Sequence, residues 1–415
     1  MSTINTILQQ LKQSATAVIP EAELAAKLER SAIEKPLRVK LGIDPSAPHL
    51  TLGHAVVLRK LRQFQELGHT AVLIVGDFTR LVCDPSERTS TRPLMSKEQV
   101  QANMQTYRQQ AFKILDPKKT EVRFNSEWLA PLGVEGMIKL ASKYTVARML
   151  ERDDFSKRFK ENLPISVLEF LYPLLQAYDS VAVQADVELG GHDQLFNLLI
   201  GRDIQREYGL EPQVALTMTL LIGTDGAQAM GQSKGNYIGV DEPPEQIFGK
   251  TMSLPDELMQ QYYELLTDIP WESVKDMHPK QCKMKLGHTL VAWLHNEAAA
   301  ETAEAEFDRV FSQRKTPTYV EELKDAAKLK DSLKEVNLDS HGRIKDARFP
   351  IIALLAKSGA VKSNSEARRL IEQGAVEIDG IKITEIHQNV SIKPDSVIRV
   401  GKKRFFKIDL EAVTK

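Results

Sequence analysis

The chain has 415 residues, 42% of them hydrophobic, with 55 Lys/Arg against 56 Asp/Glu and two cysteines. That supplies two or three ordinary cores, while a net charge of −1 gives no global field to recruit nucleic acid or an anionic membrane. Cys83 and Cys282 exclude a disulfide framework, lack metal-ligand spacing and fit a reducing compartment, so a cytoplasmic protein is expected.

In chain order, residues 1–36 read as an N-terminal helical segment whose polar, amphipathic start, MSTINTILQQLKQSA, suits neither a signal peptide nor a membrane span. Residues 37–242 alternate strand-like runs (VKLGI, TAVLIVGDF, SVAVQADVEL, VALTMTLLIG) with helical patterns, the first over 53–68. Such alternation predicts an α/β, Rossmann-like parallel sheet with crossover helices. Residues 243–314 are helical throughout, and 315–346 read as a charged linker with short helices. Residues 347–415 predict a small α+β module: helix, turn, helix, a hairpin through Asp379-Gly380, then the strands of SVIRVGKKRFFKI. From His341 to Lys415 there are 15 Lys/Arg against 9 Asp/Glu, so basic character is local.

Gly42–His54, GIDPSAPHLTLGH, reads as a strand, a break at Asp44-Pro45-Ser46 and the start of a helix. Free N–H groups at a helix start favour anions. Gly53 lets a flat base or ribose lie on backbone, and His54 offers a donor to a phosphate oxygen. Read alone, a Gly-His at a helix start is more often a cap than a nucleotide contact. Ligands in such sheets lie beyond the strand carboxyl ends, where Asp44, Gly76-Asp77 and Asp84 fall. Farther on, Tyr172, Gln176 and Asp179 stand at i, i+4 and i+7, on one face of a helix.

Together with GDFTRLVCDPSERTSTRP (Gly76–Pro93), EFLYPLLQAYDSVAVQADVELGGHDQLFNLLIGR (Glu169–Arg202) and MTLLIGTDGAQAMGQSKGNYIGV (Met218–Val240), this stretch resembles bacterial tyrosyl-tRNA synthetase, a class I aminoacyl-tRNA synthetase. The resemblance makes 37–242 the catalytic domain, 243–314 an anticodon-side domain and the tail an RNA-binding module. It gives Tyr172 and Gln176 the amino group of tyrosine, Asp179 the phenol hydroxyl, and Asp84 and Gln194 neighbouring positions. Gly42, Asp44, Ser46, Gly53, His54, Gly191 and Asp193 fall to the nucleotide, ATP accompanied by Mg2+, with no tightly bound cofactor and no metal site. Lys40 departs from members that carry a second tyrosine against the phenol, which leaves hydroxyl recognition to Asp179.

The departures gather on the triphosphate side. Thr51 replaces the histidine that usually opens the first signature, with His49 two residues early. Ala229, Met230, Gly231, Gln232 and Ser233 stand where the second signature usually has two lysines, and Lys234 follows one position later. The expected catalytic set is therefore His54, Thr51, Ser233 and Lys234. Arg80, Cys83, Glu87, His192 and Thr219 also differ from the usual residues, and Arg80, beside Gly76-Asp77, is the leading substitute cation. Two readings follow: a tyrosine–tRNA ligase, or a synthetase-like paralogue that binds tyrosine or RNA but activates poorly.

In the tail, Lys357, Arg368, Arg369, Lys402, Lys403 and Arg404 are the candidate RNA phosphate contacts, Arg368-Arg369 opening the second small helix and Lys402–Arg404 lying in the last hairpin. The resemblance implies tRNA(Tyr) as partner and a homodimer formed through helices near 120–165, with no membrane and no DNA.

Overall fold

The computed structural model describes residues 3–45, 48–81, 106–311, 321–323, 326–401 and 404–414. Ser46, Cys83, Asp84, Glu87, Arg88, Lys402 and Lys403 lie outside them. The chain forms two compact units, 1–304 and 305–415.

The first unit begins with α1 (Thr3–Lys12), β1 (Ala15–Ile19), α2 (Glu21–Ser31), β2 (Arg38–Ile43), α3 (Leu52–Glu66), β3 (Thr70–Val75) and β4 (Thr120–Phe124). It continues with α4 (Ser126–Ala141), α5 (Val146–Met149), α6 (Asp153–Lys160), α7 (Val167–Val183), β5 (Val187–Gly191), α8 (Leu195–Glu207) and β6 (Val214–Met218). Helices α9 (Pro244–Met252), α10 (Met259–Leu266) and α11 (Pro279–Leu294) follow, and the division between units falls within α12 (Glu297–Phe311). The sheet order is β1-β6-β5-β2-β3-β4, parallel except for β1 against β6. Chain order reverses between β2 and β5, so a crevice opens at their carboxyl ends, the usual ligand position in such sheets.

The central strands are apolar on both faces, as a sheet covered by helices requires: Val39, Leu41, Val72, Leu73, Ile74, Val187 and Leu189 are buried. One pair breaks that rule. Lys40 of β2 and Glu188 of β5 are direct register partners, 0% and 1% exposed, with Nζ 2.9 Å from Oε1. Nζ also donates to the Gln176 carbonyl at 2.9 Å and to Ser180 Oγ at 2.7 Å.

Three expectations need correction. The 1–36 segment is not all helical, because ATAVI pairs antiparallel with β6 and extends the sheet. SVAVQADVEL is not one strand: α7 runs through Val183 and ends at Gln184 in the left-handed region (φ 50°), and the strand starts only at Val187. β-branched residues were read there as strand, but packing of the helix onto the core decides. The 315–346 stretch is not a linker throughout, since Glu335–Leu338 pairs with Ile344–Pro350.

In the second unit, β7 (Glu321–Glu322), β8 (Glu335–Leu338), β9 (Ile344–Pro350), α13 (Ile351–Lys357), α14 (Asn364–Glu372), β10 (Val376–Ile378) and β11 (Ile381–Lys382) come first. They are followed by β12 (Asn389–Ile392), β13 (Ile398–Val400), β14 (Arg404–Lys407) and α15 (Leu410–Thr414). They make sheets ordered β11-β10-β13-β14-β7 and β12-β9-β8 around a core that includes Phe349, Leu354, Ile371 and Val400. The β10–β11 hairpin turns on Asp379 (φ 51°) and Gly380 (φ 80°), the positive pair that a two-residue turn between twisted strands demands.

Lys40→Met leaves Glu188 buried without its cation and should cost about 3–5 kcal/mol in chemical denaturation, whereas Lys40→Met/Glu188→Met should recover most of that loss.

Candidate functional site

A cavity of about 250 Å³ opens at the carboxyl ends of β2, β3 and β5. It is lined by Gly42, Asp44, Thr51, Gly53, His54, Tyr172, Gln176, Asp179, Gly191, Asp193 and Gln194, so most residues singled out in the sequence converge there.

Asp179 forms its deep end. Buried on α7, its carboxylate accepts from Trp128 Nε1 at 2.7 Å and Asn125 Nδ2 at 3.3 Å. Burial outweighs the Lys40 charge and these donors and pushes the Asp179 carboxyl up to about 7. Asn125 and Trp128, absent from the sequence reading, follow β4 at its carboxyl end, a position that could have found them.

Asp44, just past β2, joins two groups that the sequence kept apart. Its Oδ2 accepts from Tyr172 Oη at 2.9 Å and its Oδ1 from Thr79 Oγ1 at 2.9 Å, while Asn125 Nδ2 donates to Thr79 Oγ1 at 3.0 Å. Gly76 is required here, because a Cβ would stand 1.9 Å from Asp44 Oδ1. Arg80 is buried on the turn Thr79–Leu81.

Gln176 donates from Nε2 to Glu188 Oε1 at 3.2 Å and accepts from Asn197 Nδ2 at 3.1 Å. Asn197 Nδ2 also reaches Gln194 Oε1 at 2.9 Å, and Gln194 Nε2 donates to Asp193 Oδ2 at 3.1 Å. Lys40 is thus occupied beneath Gln176 by the Gln176 carbonyl, Ser180 and Glu188.

The opposite end begins at α3. Thr51 is buried; its N–H donates to His54 Nδ1 at 3.1 Å and its hydroxyl lies 2.9 Å from the same nitrogen. Nδ1 being the acceptor, the neutral ring carries its proton on Nε2. Shielding from water pushes the imidazole down to about 4. Gly53 presents backbone to the cavity beneath Met230, whose Cβ lies 3.8 Å from where a glycine Cβ would point. Ala229 and Met230 line the cavity.

The three following polar residues are turned elsewhere. Gln232 Nε2 donates to the His49 carbonyl, and Lys234 Nζ donates to the Ala229 carbonyl at 3.0 Å, with Ser233 exposed beside it on the turn Gln232–Lys234. His49 Nδ1 lies 3.0 Å from both Asp241 oxygens. Backbone pairing of Leu52 N with Ile238 O (2.9 Å) and Val240 N with Leu50 O (2.8 Å) fastens this segment to the start of α3. Lys234 is the sole Lys or Arg between Arg206 and Lys250. His192 lies 3.1 Å from Thr217 Oγ1, and Thr219 2.9 Å from Thr16 Oγ1.

In the second unit Lys357, Arg368 and Arg369 are exposed. Arg368-Arg369 stand in the middle of α14 rather than opening it, since Ser363 caps the helix by accepting from Glu366 N. Arg404 is partly committed, donating to the Ala360 carbonyl at 3.1 Å and pairing with Glu366 at 3.7 Å.

Between the ordinary value near 4 of an unfolded aspartate and the folded value of about 7, the native state holds the Asp179 proton more tightly. Its contribution is fully present below about pH 4 and is lost as pH rises through about 7, with a slope approaching 1.4 kcal/mol per pH unit. Asp179→Asn should therefore gain stability relative to the native chain between pH 4.5 and 7.5, measured by denaturation at each pH.

Comparison with known proteins assigns the chain. The model described as tRNA synthetases class I (W and Y) matches residues 32–312, and that of the tyrosine–tRNA ligase SYY-like C-terminal domain matches 329–408. A tyrosine–tRNA ligase of Thermotoga maritima is 51% identical over 407 residues, covering 96% of each chain. One of Haemophilus influenzae is 47% identical, covering 100% of this chain and 99% of its own. In structure, tyrosyl-tRNA synthetase of Archaeoglobus fulgidus, solved with L-tyrosine, superposes with TM-score 0.59 at 23% identity over 72% of this chain and 99% of that one, a likeness of fold. With a sheet crevice of this topology and both family models matched in order, the chain belongs to the class I tRNA synthetases, in the tyrosyl branch.

Proposed function

We propose that this chain is a tyrosine–tRNA ligase, which activates tyrosine with ATP, taken as its Mg2+ complex, and transfers the tyrosyl group to tRNA(Tyr). The observation that carries the reading is the buried carboxylate of Asp179, held by Trp128 and Asn125 at the closed end of the cavity. An acceptor fixed there suits a phenol O–H and is left unpaired by phenylalanine. Gln176 and the Tyr172–Asp44 pair then face the ammonium group, and Gln194 flanks it; Asp84, assigned to the same group by the sequence, lies outside the described residues.

On the nucleotide side, Asp193 accepts ribose hydroxyls, Gly191 and Gly42 border the sugar and phosphate, and Gly53 lets adenosine lie on backbone; Ser46, assigned with them by the sequence, lies outside the described residues. The neutral His54 donates from Nε2 to a phosphate oxygen. A tyrosine carboxylate oxygen bonds to the α-phosphorus as the bond to the β-phosphate oxygen breaks and pyrophosphate leaves; no side chain acts as nucleophile. A hydroxyl of the tRNA's terminal adenosine then attacks the tyrosyl carbonyl and displaces AMP. Positioning and charge stabilisation carry the catalysis.

Among the described residues that charge stabilisation is thin. Thr51 caps α3 through His54, while Gln232 and Lys234 are spent on backbone carbonyls. Activation is accordingly slower than with lysines aimed at the pyrophosphate, unless Lys234 leaves Ala229 and swings to it beside Ser233. In the tail, Lys357, Arg368, Arg369 and Arg404, together with Lys402 and Lys403 of the sequence, make the RNA phosphate contacts. Val134, Ile138, Val146, Phe159, Leu163 and Val167 are apolar and at least half exposed within 134–167, which supports a homodimer covering that surface. A cytoplasmic location accords with two cysteines that form no framework, and no described helix is long and apolar enough to cross a membrane.

Charging of tRNA(Tyr) with labelled tyrosine tests the reading. Asp179→Asn should lower kcat/KM for tyrosine about 10- to 150-fold and shrink its preference over phenylalanine; absence of tyrosine charging by the unaltered chain would refute the assignment.

A further inference from the structure

Carboxamides have one donor end and one acceptor end, and turning them over costs little unless neighbours forbid it. At the proposed ammonium subsite the neighbours do forbid it. Glu188 offers only acceptors: its oxygens receive Lys40 Nζ at 2.9 Å, Gln176 Nε2 at 3.2 Å, Ser180 Oγ at 3.1 Å and Gln213 Nε2. Gln176 must therefore direct its nitrogen at Glu188 and its Oε1 away from it. From the other side Arg152, a donor-only guanidinium, gives NH1 to Asn197 Oδ1 at 3.2 Å. That turns both Nδ2 hydrogens of the buried Asn197 onto Gln176 Oε1 (3.1 Å) and Gln194 Oε1 (2.9 Å).

We propose that Glu188 and Arg152, acting through Asn197, are positioning residues that lock the Gln176 amide with its oxygen toward the ligand, and so select a substrate that presents an ammonium donor there. The inference rests on the reading of the cavity as a tyrosine site. Reversing any amide would set nitrogen against nitrogen or oxygen against oxygen. The two ends carry opposite charge, which separates amide orientation from the field of the charges. Removing Arg152 takes away a cation and leaves its partner Asp154 (2.8 Å) unneutralised, so by field alone an ammonium ligand would bind more tightly. Removing the Glu188 carboxylate would weaken it. Orientation predicts a loss in both cases.

The experiment is calorimetric titration of the full-length chain with tyrosine and with 3-(4-hydroxyphenyl)propanoate, which lacks the ammonium, for the unaltered protein, Arg152→Met and Glu188→Gln, with melting curves for each. Both variants should lose about 3- to 30-fold in affinity for tyrosine relative to the propanoate, and pyrophosphate exchange should show the change in KM for tyrosine with kcat within about threefold. Arg152→Met with an unchanged or raised tyrosine preference overturns the proposal, even if Glu188→Gln fails to fold. Tyrosine binding no better than the propanoate in the unaltered chain overturns the tyrosine reading and the proposal with it.

Discussion

The Lys40–Glu188 pair is the constraint on which the cavity depends. It lies across the two strands between which the chain order reverses, in direct register and without solvent. Removing an ammonium and a carboxylate from water costs several kcal/mol each, and attraction repays this only when the remaining valences are filled. They are filled here by Ser180 and the Gln176 carbonyl of α7, which walls the crevice, and by Gln213, just before β6. The pair adds little net stability beyond an apolar replacement. What it does is oblige α7 and β5 to meet β2 in one register, which brings Tyr172, Gln176 and Asp179 to one wall and Asp193 and Gln194 to the next.

Above that floor the cavity is electrically lopsided. Its lining carries acceptors at Asp179, Asp44, Gln176 and Asp193, which the proposed function pairs with a phenol, an ammonium and ribose hydroxyls. Its outer half, where a triphosphate would extend, is bordered by a neutral histidine, a capping threonine, Ala229 and Met230. Among the described residues that line the cavity, acceptors outnumber cations. Fastening of 238–240 along 50–52 holds the outer half close to α3.

Local signals in the sequence located the crevice because it is made at strand ends. VKLGI followed by Asp44-Pro45, and Tyr172, Gln176 and Asp179 at helical spacing, converge as expected. What stayed hidden depends on long-range partners. Lys40 in an apolar strand reads as an anomaly until Glu188, 148 positions later, is its register neighbour. Thr51 reads as a lost phosphate contact, and only its bond to His54 shows it capping the helix. The ATAVI strand and the sheet partner of 344–350 were missed because short edge segments acquire their conformation from the strand they join.

The proposed function places a cavity specific for tyrosine beside a weakly charged but working phosphate site. Tyrosine-dependent exchange of labelled pyrophosphate into ATP by the unaltered chain, with phenylalanine as control, tests it most directly. Exchange with tyrosine should run far above that with phenylalanine and saturate in ATP. Equal exchange with both amino acids, or none while tyrosine binds, would contradict it.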